Sequence, residues 1–317
     1  MGEDFREIQE YLRRIVGNVE KVIVGKREAI ELSLLALLCG GHILVEDVPG
    51  VGKTSLASAL SRSLHCSFRR IQFTPDIMPS DITGFSLYNQ KTGDFEYRQG
   101  LIFSSLILAD EINRASPKTQ ASLLEAMEEN QVTVDGVTYP MAKPFMVMAT
   151  QNPADFVGTY PLPEAQMDRF LMRISLGYPE FMDERDILRR FKEEDPEVKP
   201  VARVEEIIAL QQAVRKVHVE DSLYDYFVYI AGATRRHADV ALGVSPRGTM
   251  SLFHTAQARA LCMGRDYVTP DDVKPLTEPV LAHRIVLKPE SKLRRVTAAQ
   301  VLADILGRVP VPMGRQA

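Results

Sequence analysis

The chain of 317 residues is 45% hydrophobic and 25% charged, a globular balance with enough length for one large domain or two ordinary ones. Its net charge of −4 disfavours a broad, sequence-independent nucleic-acid surface, which needs an excess of cations to displace phosphate counterions. Cys39, Cys66 and Cys262 are too few and too scattered for a disulfide framework or a zinc site, and the six histidines form no H-x-x-x-H pair.

The N-terminus opens with Glu3 and Asp4 and lacks the apolar core of a secretory leader. The longest apolar stretch, 32–41, is too short to span a bilayer. These features predict a cytoplasmic protein without a membrane span.

Phe5, Ile8, Leu12, Ile15, Val19 and Val22 recur at helical spacing, which predicts an amphipathic first helix. Ile23-Val24-Gly25 breaks it, a leucine-rich helix follows over 27–39, and Gly40-Gly41 ends that one. Ile43-Leu44-Val45 then reads as a short buried strand, 46–52 as a turn, and Lys53-Thr54-Ser55 as the opening of a helix. Residues 68–73 predict a second strand and 76–81 a short helix. Between 84 and 100 the chain turns polar and aromatic, and Lys91-Thr92-Gly93-Asp94 joins two short strands as a hairpin. The run 101–109 is apolar apart from Ser104 and Ser105, as in a doubly covered parallel strand. A helix over 117–130 and a hairpin over 131–141, turning at Asp135-Gly136, come next. A buried strand (145–149), a short helix (163–168) and a fifth strand (170–176) complete the series. Alternating strands and helices with buried strands predict a three-layer α/β domain.

Past Gly177-Tyr178-Pro179 the strand signals stop. Helices are predicted over 184–192, 204–217, 222–237, 248–264, 270–282 and 298–306, so a small all-helical domain is expected at 179–317 after an α/β domain at 1–178. The Pro-rich end, 309–317, is expected to fray.

The turn at 46–52 has the composition of a phosphate cradle. Gly50 and Gly52 let successive N–H groups point at one anion, and the following helix aims its unpaired amides at the same place. Pro49, Val51 and Ser55 complete the loop. Lys53 is placed to reach the β- and γ-phosphates of ATP, or the β-phosphate of ADP, and the Thr54 hydroxyl to ligate Mg²⁺. The match to G-x-x-x-x-G-K-[ST] is incomplete, because Asp47 stands where the first glycine belongs.

An acidic partner lies at Leu106-Ile107-Leu108-Ala109-Asp110-Glu111, where two carboxylates emerge from the carboxyl end of an apolar strand. Asp110 would hold Mg²⁺, directly or through water, and Glu111 would take a proton from the attacking water. Asn152, ending Ala149-Thr150-Gln151-Asn152-Pro153, would orient that water beside the γ-phosphate. Arg169 is a candidate arginine finger supplied in trans, with Arg114 and Arg173 as alternatives. Ser245-Pro246 reads as a helix start that puts Arg247 in the first turn, where a cation opposes the dipole unless an anion, such as a γ-phosphate, shares the site.

Taken together, these segments resemble the MoxR-type members of the AAA+ ATPases, the branch with a helix-2 insert and a pre-sensor-1 hairpin. The likeness runs from Val24-Gly25 to the last helices and is most specific at 46–54, 109–114, 149–153, 162–170 and 245–247. It implies an AAA+ core with a five-stranded parallel sheet and a helical lid. It also implies Asn152 as sensor 1, Arg169 as arginine finger, Arg247 as sensor 2 and Ile23-Val24-Gly25 at the adenine pocket. Residues 84–100 would be the helix-2 insert. The branch would tolerate Asp47. A hexameric ring with ATP between subunits is implied, as is a chaperone that remodels protein partners or assists metal-cofactor insertion, often with a von Willebrand factor A domain protein. Two other readings stand beside it: a nucleotide-gated scaffold with little hydrolysis, and a DNA-translocating ring. The first is disfavoured by the full set of hydrolytic residues, the second by the acidic balance and by Lys91 as the lone lysine of the 84–100 insert.

Overall fold

In the computed structural model, which describes residues 5–152, 158–190 and 196–312, two helices come first: α1 (Phe5–Glu20) and α2 (Arg27–Leu38). The α/β portion continues through β1 (Ile43–Glu46), α3 (Lys53–Ser63), β2 (Phe68–Gln72), α4 (Pro79–Thr83), β3 (Gly84–Asn89) and β4 (Asp94–Gln99). It ends with β5 (Leu106–Asp110), α5 (Pro117–Glu129), β6 (Gln131–Val134), β7 (Val137–Pro140), β8 (Met146–Gln151), α6 (Glu164–Met167) and β9 (Met172–Ile174). Five strands form one parallel sheet in the order β2-β5-β8-β1-β9. The hairpins β3–β4 and β6–β7 stand outside it as separate antiparallel pairs.

Side chains alternate along a strand, so each sheet face has its own core. Ile43, Val45, Leu106, Leu108, Met146 and Met148 face a cluster shared with α1, α2 and α3. Leu44, Ile107, Ala109, Val147 and Ala149 face the other, which includes Leu123, Leu124 and Met127 of α5. With both faces covered, the inner strands β1, β5 and β8 carry continuous apolar runs, whereas the edge strand β2 exposes Arg69, Arg70 and Gln72.

Some predicted elements are shorter or displaced. The apolar run 101–109 is a strand only from Leu106, because the Leu101 and Ile102 amides bond to the Asp81 and Ile82 carbonyls instead of the sheet. The last sheet strand covers Met172–Ile174 rather than 170–176; the Leu171 amide still reaches the His42 carbonyl, while the Leu176 and Gly177 amides turn to the Asp47 side chain. The helix expected over 76–81 begins at Pro79, where proline's fixed φ suits a first helical position.

The remainder is helical: α7 (Phe181–Arg190), α8 (Val204–Val214), α9 (Asp221–Arg236), then α10 (Pro246–Cys262), α11 (Pro270–Leu281), α12 (Pro289–Leu293) and α13 (Ala298–Arg308). The expectation of no further strands is corrected by one short antiparallel ribbon, β10 (Val240–Leu242) with β11 (Val286–Leu287). Segments of two and three residues carry too little periodicity to be read. Residues 191–192 of the predicted 184–192 helix, Pro153, and 313–317 of the C-terminal tail lie outside the described residues. Among the described residues no helix is long and apolar enough to cross a membrane.

Asp168, between α6 and β9, fastens the two parts together. The buried Arg284 donates from Nε to its Oδ1 (2.7 Å), and Ser245, the N-cap of α10, donates to its Oδ2 (2.9 Å). Arg284 also donates to the Phe170 and Leu171 carbonyls at 2.6 and 3.1 Å. Burial lowers its pKa, an effect opposed by the Asp168 carboxylate.

Candidate functional site

The sheet order decides which loops meet. Strand β8 lies between β5 and β1, so the chain leaving β8 emerges between the cradle after β1 and the carboxylates ending β5. At about 4.8 Å between neighbours, the two outer strands of this trio are roughly 10 Å apart, a span that a phosphate chain can bridge. A cavity of about 400 Å³ opens there. Pro49, Gly50, Gly52, Lys53, Thr54 and Ser55 line one side, and Asp110, Glu111, Asn152, Arg70 and Gln72 the other.

Gly52, the residue before α3, has φ +97°, a conformation side chains rarely adopt, and Gly50 has φ +86°. Lys53 donates to the Asp47 carbonyl at 2.9 Å. The buried Asp47 side chain explains the departure from the glycine consensus. Its carboxylate accepts from Ser175 Oγ (2.9 Å) and from the Leu176 and Gly177 amides (2.5 and 3.0 Å), pinning the exit of β9 to the cradle.

Thr150, fully buried on β8, organises the acidic pair. Its hydroxyl donates to Asp110 Oδ1 (2.7 Å) and accepts from the Glu111 amide (2.8 Å). Glu111 itself has φ +58°, uncommon for a residue other than glycine. Arg70 donates to Asp110 Oδ2 through two nitrogens, at 2.6 and 3.1 Å. Gln72 donates to Glu111 Oε2 at 2.7 Å, and Arg114 pairs with the same oxygen at 3.3 Å. Arg70, Gln72 and Thr150 were not singled out from the sequence; the pairing of β2 with β5, which puts Gln72 opposite Asp110, carries no local signal.

Val24 and Gly25 do not line the cavity but adjoin it. A Cβ on Gly52 would sit 4.0 Å from Ile23 Cδ1, and one on Gly25 (φ +70°) would sit 1.9 Å from Asp183 of α7. The segment thus runs between the cradle and α7. The Val51 side chain packs toward the core.

Arg169 and Arg247 lie elsewhere. Both pair with Glu128 at the end of α5, Arg169 at 2.9 Å. His42, just before β1, bonds to the carbonyl of the adjacent Met127, so Glu128 belongs to the amino-terminal edge of the sheet. The cradle is at the opposite edge, roughly 16 Å away at ordinary strand rise and beyond an arginine's reach. The anion that the helix dipole calls for beside Arg247 is, in this chain, a carboxylate. Arg173 is held by Glu46 at 2.9 Å. A larger open groove of about 920 Å³ runs from Arg215 to Asp221 and along α10, but it gathers neither a glycine cradle nor paired carboxylates.

The donor set suits a metal-bound nucleotide. Mg²⁺ keeps several waters and takes one or two protein oxygens besides phosphate, so a single hydroxyl and a single carboxylate in one cavity suffice. Thr54 and Asp110 supply them.

Comparison with known proteins agrees with this geometry. Residues 42–172 match the ATPase family associated with various cellular activities (AAA), and residues 232–305 match the AAA lid domain. An uncharacterised Bacillus subtilis protein, YeaC, is 51% identical over 98% of both chains. The chaperone MoxR1 of Mycobacterium tuberculosis is 40% identical over 95% of this chain and 82% of the relative. The MoxR protein of Methylorubrum extorquens is 31% identical over 98% of this chain and 95% of its own length. A solved structure from Cytophaga hutchinsonii superposes with a TM-score of 0.91, at 38% identity over 98% of this chain and 97% of that one. The chain belongs to the MoxR-type family of AAA+ ATPases and is an ATP-hydrolysing enzyme.

Proposed function

We propose that the cavity between Lys53 and Asp110 binds Mg²⁺-ATP, and that hydrolysis there drives remodelling of a protein client by a ring of subunits. The observation that carries this reading is the convergence of Lys53, Thr54, Asp110, Glu111 and Asn152 on one cavity from three separate strand ends. The cradle amides and Lys53 would hold the phosphates, while Thr54 and Asp110 would hold the metal. Bound there, Mg²⁺ would offset charge on the phosphate oxygens. Glu111 would accept the water proton at Oε2 once Gln72 and Arg114 release that oxygen. Asn152 would orient the water, and Ile23-Val24-Gly25 would flank the base.

Arg169 and Arg247, out of reach of their own cradle, would serve the nucleotide of a neighbouring subunit, which makes an assembled ring, hexameric by family resemblance, the active form. The division at 178/179 would then separate the core from a lid that moves with nucleotide state.

A protein client is supported by the β3–β4 hairpin, which holds Phe85, Leu87, Tyr88 and Phe95 out to solvent, with Phe95 73% exposed. Such a surface grips peptide more readily than DNA backbone. Relatives named MoxR, one of them called a chaperone, support the same class of work. A von Willebrand factor A domain partner, metal-cofactor insertion and a cytoplasmic site belong to this proposal too.

Mixing inactive Lys53→Ala with inactive Arg169→Ala tests the arrangement. Activity should return in mixed assemblies, because one subunit supplies an intact cradle and its neighbour an intact arginine. Absence of rescue across all mixing ratios would leave Arg169 a structural residue.

A further inference from the structure

Arg169 and Arg247 come from different parts of the fold, yet each takes a separate oxygen of one carboxylate, Glu128. Their backbones are fixed nearby: Asp168 is clamped by Arg284 and by the Ser245 hydroxyl, and Arg247 lies in the first turn of the helix that Ser245 caps. The side chains remain partly exposed, at 29% for Arg169, 44% for Arg247 and 31% for Glu128. Two guanidinia side by side repel, and Arg247 also faces the positive end of its own helix; a shared anion offsets both effects. A terminal phosphate carries more charge and more acceptor oxygens than a carboxylate, and it suits the same pair of planar forks.

We infer that Glu128 is a stand-in anion: it holds Arg169 and Arg247 together and neutralised in the lone subunit until the terminal phosphate of a neighbour's nucleotide displaces it. Glu128 is thus a positioning residue and a brake on assembly. This rests on the reading that the two arginines act in trans.

Glu128→Gln removes the charge with little change of shape at a site one-third exposed, and Glu128→Asp retains the charge. Two readouts apply: ATPase rate per subunit against protein concentration, and ATP-dependent assembly followed by light scattering on a Glu111→Gln background, where turnover does not intervene. Glu128→Gln should shift both midpoints to lower protein concentration by about threefold to tenfold, the range expected for partly exposed ion pairs. Glu128→Asp should stay near the parent. Midpoints that stay put or move upward in Glu128→Gln, while Arg169→Ala abolishes activity, would overturn the stand-in role and leave the trans reading intact. Parent-like concentration dependence in both Arg169→Ala and Arg247→Ala would overturn the trans reading itself.

Discussion

The Thr150 hydroxyl bridges neighbouring strands, donating to Asp110 at 2.7 Å while receiving the Glu111 amide at 2.8 Å. One buried side chain therefore sets both the proposed metal ligand and the backbone of the proposed base. Thr150→Val fills the same volume without the hydroxyl. It should lower kcat by about 10- to 100-fold, because a hydrogen bond to a charged acceptor contributes about 1.5–3 kcal/mol. Thr150→Ser should retain most of the rate. Steady-state kinetics decide, and a parent-like valine variant counts against the bridge.

Asp47→Gly restores the usual glycine of the phosphate loop, yet it should weaken this protein. The change strips the acceptor from the Leu176 and Gly177 amides and from Ser175, at a cost of about 2–4 kcal/mol. Urea unfolding should show the lower midpoint, and nucleotide affinity should fall with it because the cradle loses its tie to the exit of β9. An unchanged midpoint would mean that the loop is held by something else.

Arg284→Met should be strongly destabilising, by about 3–5 kcal/mol, since it leaves Asp168 without its buried partner and several carbonyls without a donor. Denaturant unfolding measures the loss. A cost under about 1 kcal/mol would show that the junction does not depend on this arginine.

Acid should destabilise the fold before the carboxylates titrate. His42 is buried and neutral: Nδ1 accepts the Val147 amide, Nε2 donates to the Met127 carbonyl, and burial lowers its pKa to about 4. Burial also lowers His254, and it drives His283 well below its ordinary value, with Arg284 adding to the effect. A histidine with a depressed folded pKa leaves the unfolded chain binding more protons below about pH 6.5. Stability is therefore full above that value and falls as pH drops toward 4, with His42 alone contributing up to about 3 kcal/mol. Thermal unfolding between pH 7.5 and 4.5 should show the decline. A flat profile would require protonation of these rings without cost.

Most of the architecture was legible because the inner strands β1, β5 and β8 carry continuous apolar runs and the turns carry glycine, proline or Asp-Gly. The cradle and the acidic pair were legible for the same reason, since each is contiguous in sequence. What escaped was non-local. Thr150 reads locally as part of a strand ending, and its bridge to Asp110 depends on β8 lying beside β5. Arg70 and Gln72 read as the polar side of a strand until β2 pairs with β5. For Arg247, the dipole argument asks for an anion such as a γ-phosphate, and only the tertiary fold places Glu128, from the far end of α5, at that helix start. The β10–β11 ribbon was too short to leave a periodic trace.

Everything proposed for this molecule depends on one Mg²⁺-dependent ATP site between Lys53 and Asp110. Its most direct test is equilibrium titration of ATP, with and without Mg²⁺, into Glu111→Gln alone and combined with Lys53→Ala or Asp110→Ala. One site per chain is expected in Glu111→Gln without turnover, with a large loss of affinity on adding Lys53→Ala and loss of the Mg²⁺ dependence on adding Asp110→Ala. ATP binding that keeps its affinity and its Mg²⁺ dependence in both combinations would contradict it.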